Sequence, residues 1–389
     1  MVMASAKLKS FPRFPELDGM RGIAVLLVFF HHVTLMDDAA PLSHLQSVLK
    51  HVFTAGRAGV DLFFVLSGFL ITSILLRERK SATYYRDFYW KRGLRVLPLY
   101  LVVLLLILAL IPHSLRYVVL ALFFLANFAS VLHVYLTTPF WSLAVEEQFY
   151  LLWPAVVRRR SGKVVGRVAV GVAVLCFLLR VAFARGGHTN YYLTFLHCDG
   201  LALGALLACL FLQSQESDRP FSGFAPRLWL VLLVGLLAGI SAPFISSSSW
   251  LASNQANLEL TASTLVSVGV IGLCLAYTNS RWLGWFRSPV LRFFGVISYA
   301  FYVIHLFVLQ AYDRFSPVPF VGNNPAYLVR MVVVFAIAVG LSLASRYGIE
   351  LPALSLRRLV LAHTAPAAET QLPILGEHAR ADLKPVIAD

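Results

Sequence analysis

The sequence predicts an all-α, polytopic integral membrane protein with about ten transmembrane helices in one bundle. Three observations predict it. Of its 389 residues, 59% are hydrophobic and 13% charged, whereas soluble domains are about 45–50% apolar and about 25% charged. Apolar runs close to the roughly 20 residues that a bilayer-crossing helix needs recur along the chain. The basic residues gather in the short loops between those runs, as the positive-inside bias requires of cytoplasmic loops.

Ten spans are expected, at about 20–36, 58–76, 95–112, 117–136, 164–183, 194–212, 228–244, 257–277, 289–309 and 326–346. The apolar segment Gln148–Val157 is too short to cross on that reading. It is interfacial, re-entrant or a continuation of a neighbouring helix. The loop after the second span carries Arg77, Arg79, Lys80, Arg86, Lys91 and Arg92, with Arg95 at its edge. The loop after the fourth carries Arg158, Arg159, Arg160 and Lys163, and the loop after the eighth carries Arg281 and Arg287. The loop after the seventh reads SAPFISSSSW and has no Lys or Arg. Even-to-odd loops and both termini are therefore expected in the cytoplasm. Lys7, Lys9 and Arg13 agree with that orientation.

The first apolar run begins only after Arg21 and has no small-residue cleavage site behind it, so the first helix is expected to be retained. Three regions follow: a cytoplasmic tail at 1–12, a membrane domain at 13–350, and a disordered cytoplasmic tail at 351–389 that mixes Ala, Pro, Glu and Arg without apolar periodicity. The net charge of +14 is accounted for by the loops, and nucleic acid is not an expected partner. The four cysteines form no CxxC pair and no metal is expected. The chain has no HExxH, no Walker lysine loop, no dinucleotide fingerprint and no GxSxG elbow, which argues against a serine-nucleophile hydrolase.

Ionisable residues inside spans are costly and are functional candidates by default. In LDGMRGIAVLLVFFHH, Arg21 and His32 lie eleven residues apart, about three turns, so they share a face about 16 Å apart along the axis. They could line one cavity, the arginine holding a phosphate or carboxylate and the histidine moving a proton. They could equally be an anchoring arginine and a satisfied interfacial histidine. Asp61, in GVDLFFVLSGFLIT, sits at a depth similar to His32 and could orient it; it could also simply complement a helix N-terminus. Ser67 and Gly68 in the same segment permit close helix packing. Arg92 and Arg95 share a face at the cytoplasmic mouth of the third span, as a phosphate clamp or as ordinary anchors. Glu146 and Glu147 need compensation, and Arg92 or Arg95 are natural partners. His197 and Asp199 open the sixth span. His305, in SYAFYVIH, reads as a hydrogen-bonded structural histidine.

Taken in order, LDGMRGIAVLLVFFHH, GVDLFFVLSGFLIT, KRGLRVLPLY, WSLAVEEQFYLLWP, HCDGLALGALLA and SYAFYVIH resemble the acyltransferase 3 family of membrane O-acyltransferases. The resemblance covers about residues 13–310. It implies ten helices, an acyl-CoA donor with acetyl-CoA expected, and a hydroxyl acceptor on a sugar, polysaccharide or glycolipid. It implies essential roles for Arg21 and His32, for Arg92 and Arg95 as donor-binding residues, and for Glu147. Asp18, Trp141, Ser142 and Asp199, in the same segments, are expected to contact substrate. Some members append a soluble esterase-like domain after the last helix. The polar tail here is too short for one, so a stand-alone enzyme or a separately encoded extracytoplasmic partner is expected. The mechanism that follows has His32 as general base, with Asp61 orienting it. The rival from another class is a transporter of a lipid-linked sugar or another anionic substrate.

Overall fold

Long apolar runs leave the backbone no partner but itself, so they form helices. The computed structural model describes residues 14–35, 42–134, 136–184, 192–217, 219–244, 249–278, 280–316 and 320–362. In chain order its α-helices are α1 (Pro15–Thr34), α2 (His44–Thr54), α3 (Ala58–Glu78), α4 (Tyr84–Leu110), α5 (Leu115–Leu122), α6 (Phe140–Arg159), α7 (Gly162–Ala182), α8 (Thr194–His197), α9 (Asp199–Glu216), α10 (Ala225–Ser241), α11 (Ser249–Ala276), α12 (Pro289–Phe315), α13 (Asn324–Ser345) and α14 (Leu351–Ala362). Among the described residues, eight helical segments are long and apolar enough to cross a membrane. Two more, α6 and α9, have 20 and 18 residues, about the length of a span. They carry charges that find partners within the bundle. The chain is a multi-pass, all-α membrane protein.

One expected span is corrected. Among the described residues of 117–136 there are only the last six residues of α5, a short 3₁₀ turn at Ala126–Phe128 and irregular chain. Phe124 and His133 adopt positive φ, at 54° each, which breaks a helix of L-residues. The carboxamide of Gln148 on α6 holds this turn, donating to the Phe124 carbonyl at 2.7 Å and to Asn127 Oδ1 at 3.0 Å. The fourth long helix is α6, and Gln148–Val157 is its second half, the continuation that was one of the sequence readings. The exchange of one helix for another keeps the alternation of helix directions.

The expected boundary at 351 is also corrected. The backbone passes from α13 into α14 through a π-helical turn, Arg346–Glu350, and remains helical to Ala362. The expected tails at 1–12 and 363–389 lie outside the described residues.

Two glycine-based contacts set the site. Helices α1 and α12 run parallel with their backbones touching: a methyl group on Gly22 would overlap the Leu291 carbonyl, and one on Gly295 the Asp18 carbonyl. Helices α3 and α9 meet in the same way through Gly68 and Gly204, against the Leu201 and Val65 carbonyls. Small residues allow this approach where no hydrophobic force drives helices together.

Candidate active site

His31 and His32 end α1, about 100° apart on the helix, and face different neighbours. The Nδ1 of His31 meets the Phe53 carbonyl of α2 at 3.1 Å. The Nδ1 of His32 meets Nε2 of His305 on α12, also at 3.1 Å. His305 is fully buried, and its Nδ1 faces the Phe301 and Tyr302 carbonyls of its own helix at 3.0 and 2.9 Å. The Phe301 ring stacks on it, 7° from parallel. At the residue after His32, Arg330 of α13 donates to the Val33 carbonyl at 2.6 Å and grips Asp313 through Nε and Nη2 at 2.7 and 2.8 Å. This buried arginine caps the end of α1 and ties it to α12 and α13, as a cation at a helix C-terminus should.

The expected orienting role of Asp61 is corrected in its geometry. Asp61 is not on His32. Its Oδ1 meets Nε2 of His197 at 3.0 Å, and its Oδ2 accepts from Ser263 Oγ at 2.5 Å. Depth along a helix places a residue on the axis and says nothing of azimuth, and Asp61 faces α8 and α11. Asp199 lies in the same region. It accepts from Arg180 Nη2 at 2.7 Å, while Arg180 also donates to the Leu196 carbonyl and Thr261. The Trp141 ring packs on His197, with centroids 5.4 Å apart. Trp141 and Asp199 thus belong to this second centre. Ser142 donates to the Pro139 carbonyl at 3.3 Å and is hydrogen-bonded to the Tyr302 hydroxyl, one turn before His305.

Toward the basic-loop end, the expected clamp divides. Arg92 and Arg95 lie about 12 and 16 Å inside α4 rather than at its mouth, because the helix begins at Tyr84. The Arg92 guanidinium is held by Glu147, with Nε at 2.8 Å and Nη2 at 2.7 Å from Oε1, and by Glu146 at 3.3 Å. It stacks over the Tyr150 ring at 4.1 Å. The two glutamates therefore have the partner that burial demands, and Arg92 has Nε and Nη2 committed to them. Arg95 makes no hydrogen bond or ion pair with another described residue. It is exposed, among charges that include Arg21, Arg92, Arg346 and Glu350. Arg21 has one carboxylate near it, Asp18 at 3.6 Å. Arg346 and Glu350, joined at 3.3 Å, come from the π turn; Glu350 is buried with Oε1 unpartnered among the described residues. The last expected span ended at about 346; the helix instead runs on through the π turn, whose Arg346 and Glu350 lie among the charges around Arg95. Such turns are frequent at functional sites.

The arrangement is bipolar. One pole is a hydrogen-bonded imidazole pair; the other is a cluster of arginines around Arg95. Arg21 and His32 stand on one face of one helix, about 16 Å apart along its axis. Among the described residues, no group of three or more His, Cys, Asp or Glu is placed to hold a metal ion.

A multi-pass bundle with a histidine pair at one level and an arginine cluster at another suits transfer chemistry between two substrates. The family model described as an acyltransferase domain matches residues 14–345. The chain belongs to that acyltransferase family. It is 29% identical over 366 residues to YrhL of Bacillus subtilis strain 168, whose name marks it as an inferred peptidoglycan O-acetyltransferase; the match covers 84% of this chain and 53% of that one. It is 26% identical over 327 residues to the peptidoglycan O-acetyltransferase OatA of Listeria monocytogenes, covering 75% and 48%. An inferred O-acetyltransferase of Staphylococcus aureus strain COL is 25% identical over 369 residues, covering 85% and 56%. The chain spans about half the length of the curated relatives it matches. No solved structure matches it.

Proposed function

We propose that this chain is a membrane-bound O-acetyltransferase that carries an acetyl group from acetyl-CoA to a hydroxyl of a cell-envelope glycan. The carrying observation is the bipolar site on α1. His32, hydrogen-bonded to His305, is the general base. Arg95, with Arg21 and Arg346 around it, receives the donor's phosphates. The names of the relatives supply the glycan and the acetyl group. The positive-inside bias supplies the orientation, with the arginine cluster toward the cytoplasm and the histidine pair toward the outer face of the bacterial inner membrane.

The pantetheine arm then bridges the two poles. The acceptor hydroxyl gives its proton to His32 as its oxygen attacks the thioester carbonyl. The carbon–sulfur bond breaks, and the departing thiolate takes the proton back from the imidazolium. The products are the acetyl ester and CoA with a free thiol. A hydroxyl is a poor nucleophile at neutral pH, so removing its proton in the transition state is the step that needs the base. The buried Arg92–Glu146–Glu147 cluster joins α4 to α6 and holds the wall between the poles. Glu147 acts there through Arg92.

The test is reconstitution of the chain in lipid vesicles with radiolabelled acetyl-CoA and peptidoglycan-like or polysaccharide acceptors. Acetyl ester on the acceptor, or slow CoA release without acceptor, supports the reading. Movement of a lipid-linked sugar across the bilayer with neither product would replace it with transport.

A further inference from the structure

We propose that His305 is the positioning residue for His32, holding it as the Nδ1–H tautomer so that Nε2 is the nitrogen that takes the acceptor's proton. This deepens the reading above and rests on it for the identity of the reaction. The assignment follows from hydrogen-bond accounting alone. The Nδ1 of His305 faces two backbone carbonyls at 3.0 and 2.9 Å. Carbonyl oxygens only accept, so that nitrogen carries the hydrogen. A neutral imidazole has a single N–H, which leaves Nε2 of His305 as a bare lone pair. That lone pair stands 3.1 Å from Nδ1 of His32. Two lone pairs at that distance repel, so Nδ1 of His32 carries the hydrogen and points it at His305. The second nitrogen of His32 is then the basic one.

The alternatives fail on the same contacts. If His32 carried its hydrogen on Nε2, lone pairs would face each other across the pair. If both rings were imidazolium, two N–H groups and two charges would face each other. The Val28 carbonyl, one turn earlier on α1, is also hydrogen-bonded to the His32 ring. The other titratable neighbour of His32 is His31 on its own helix, whose Nδ1 is engaged by Phe53.

The arrangement plays the part that a carboxylate plays in a Ser–His–Asp triad, which fixes the tautomer and supports the imidazolium that forms. Here the support is neutral. When Nε2 of His32 takes a proton, the Nδ1–H bond to His305 becomes charge-assisted and strengthens. The ring stays in place because His305 is itself fixed by two carbonyls and the Phe301 face. SYAFYVIH thus supplies a ring pinned by its own helix and offering one acceptor to α1.

The experiment uses the full-length chain in nanodiscs with ¹⁵N-labelled histidine rings, His32 being assigned by loss of its signals in His32→Gln. Without any substrate, the ring nitrogen shifts of His32 are expected to report Nδ1–H and a bare Nε2. In parallel, His305→Leu, which removes the acceptor, is expected to lower kcat for acetyl transfer about 10²-fold with the donor KM little changed. His305→Gln, whose carboxamide oxygen can accept the same bond, is expected to recover most of it. A wild-type His32 with its hydrogen on Nε2 overturns the proposal, and so does wild-type kcat in His305→Leu. Should the chain transfer no acetyl group to any acceptor, the functional reading falls, while the tautomer is still decided by the resonance measurement.

Discussion

The two buried histidine centres are built from similar parts and are wired oppositely. His197 has a carboxylate partner, and that carboxylate also takes the Ser263 hydroxyl. His197 is 0% exposed, enclosed by Phe64 and Trp141. Around it Arg180 and Asp199 link α7, α9 and α11. This centre joins α3, α7, α8, α9 and α11 through hydrogen bonds. His32 has an imidazole partner, is half-buried, and ends a helix whose backbone approaches that of α12 through glycines. A histidine with a saturated carboxylate is a fastener; one with a neutral, pinned acceptor keeps a lone pair for chemistry. The carboxylate that looks catalytic in sequence therefore belongs to the fastener.

The sharpest way to break that contrast is to exchange the losses. His32→Ala is expected to lower kcat by about 10³-fold or more with the melting temperature little changed, whereas His197→Ala should lower the melting temperature and the yield of folded protein. Turnover assays beside thermal unfolding of the same detergent-solubilised samples decide it; the reverse pattern places the chemistry at His197.

A gentler attack moves the histidines apart without touching them. Gly22 and Gly295 each precede the histidine of their helix by ten residues. Gly295→Ala adds one methyl against the Asp18 carbonyl and should lower kcat about 10²-fold, the usual effect of misplacing reacting groups by about 1 Å. Ala in place of Gly171, where a methyl meets nothing within 4 Å, is the control and should leave kcat unchanged.

At the other pole, Arg95→Gln is expected to raise the donor KM about tenfold with kcat nearly intact, the mark of binding lost equally in ground and transition states. Arg92→Gln should behave unlike it and unfold more easily, because Glu146 and Glu147 lose their shared cation. Steady-state kinetics over a range of acetyl-CoA concentrations separates the two. The smallest catalytic effect is expected from Asp61→Asn. It should change kcat only a few-fold in the folded fraction while destabilising the bundle by about 1–3 kcal/mol, read from denaturation in mixed detergent.

How far the sequence reached depended on the range of the interaction. The facing of Arg21 and His32 follows from helix periodicity, which is local. The pairing of Glu146 and Glu147 with an arginine follows from the penalty on buried charge, which names the partner type and leaves only Arg92 or Arg95. His305 could not be matched to His32 from the chain alone. The two stand 273 residues apart, and their contact exists only once α1 and α12 dock through glycines. The 117–136 stretch is apolar enough to resemble a span, and a hydropathy window cannot see the Gln148 carboxamide that holds it as a turn. Arg346 and Glu350 were hidden by the π turn, since an ordinary α-helix through the same residues would present a different face.

Arg330 has a further consequence for how such an enzyme can change. It holds α1 by the carbonyl that follows His32, and it is itself held by Asp313. The end of α1 that carries the imidazole is thus held from α13, beside the contact with His305 on α12. A change elsewhere around His32 need not carry the base along. Selection for a new acceptor can act on one side of His32 while the proton chemistry is inherited intact from the other.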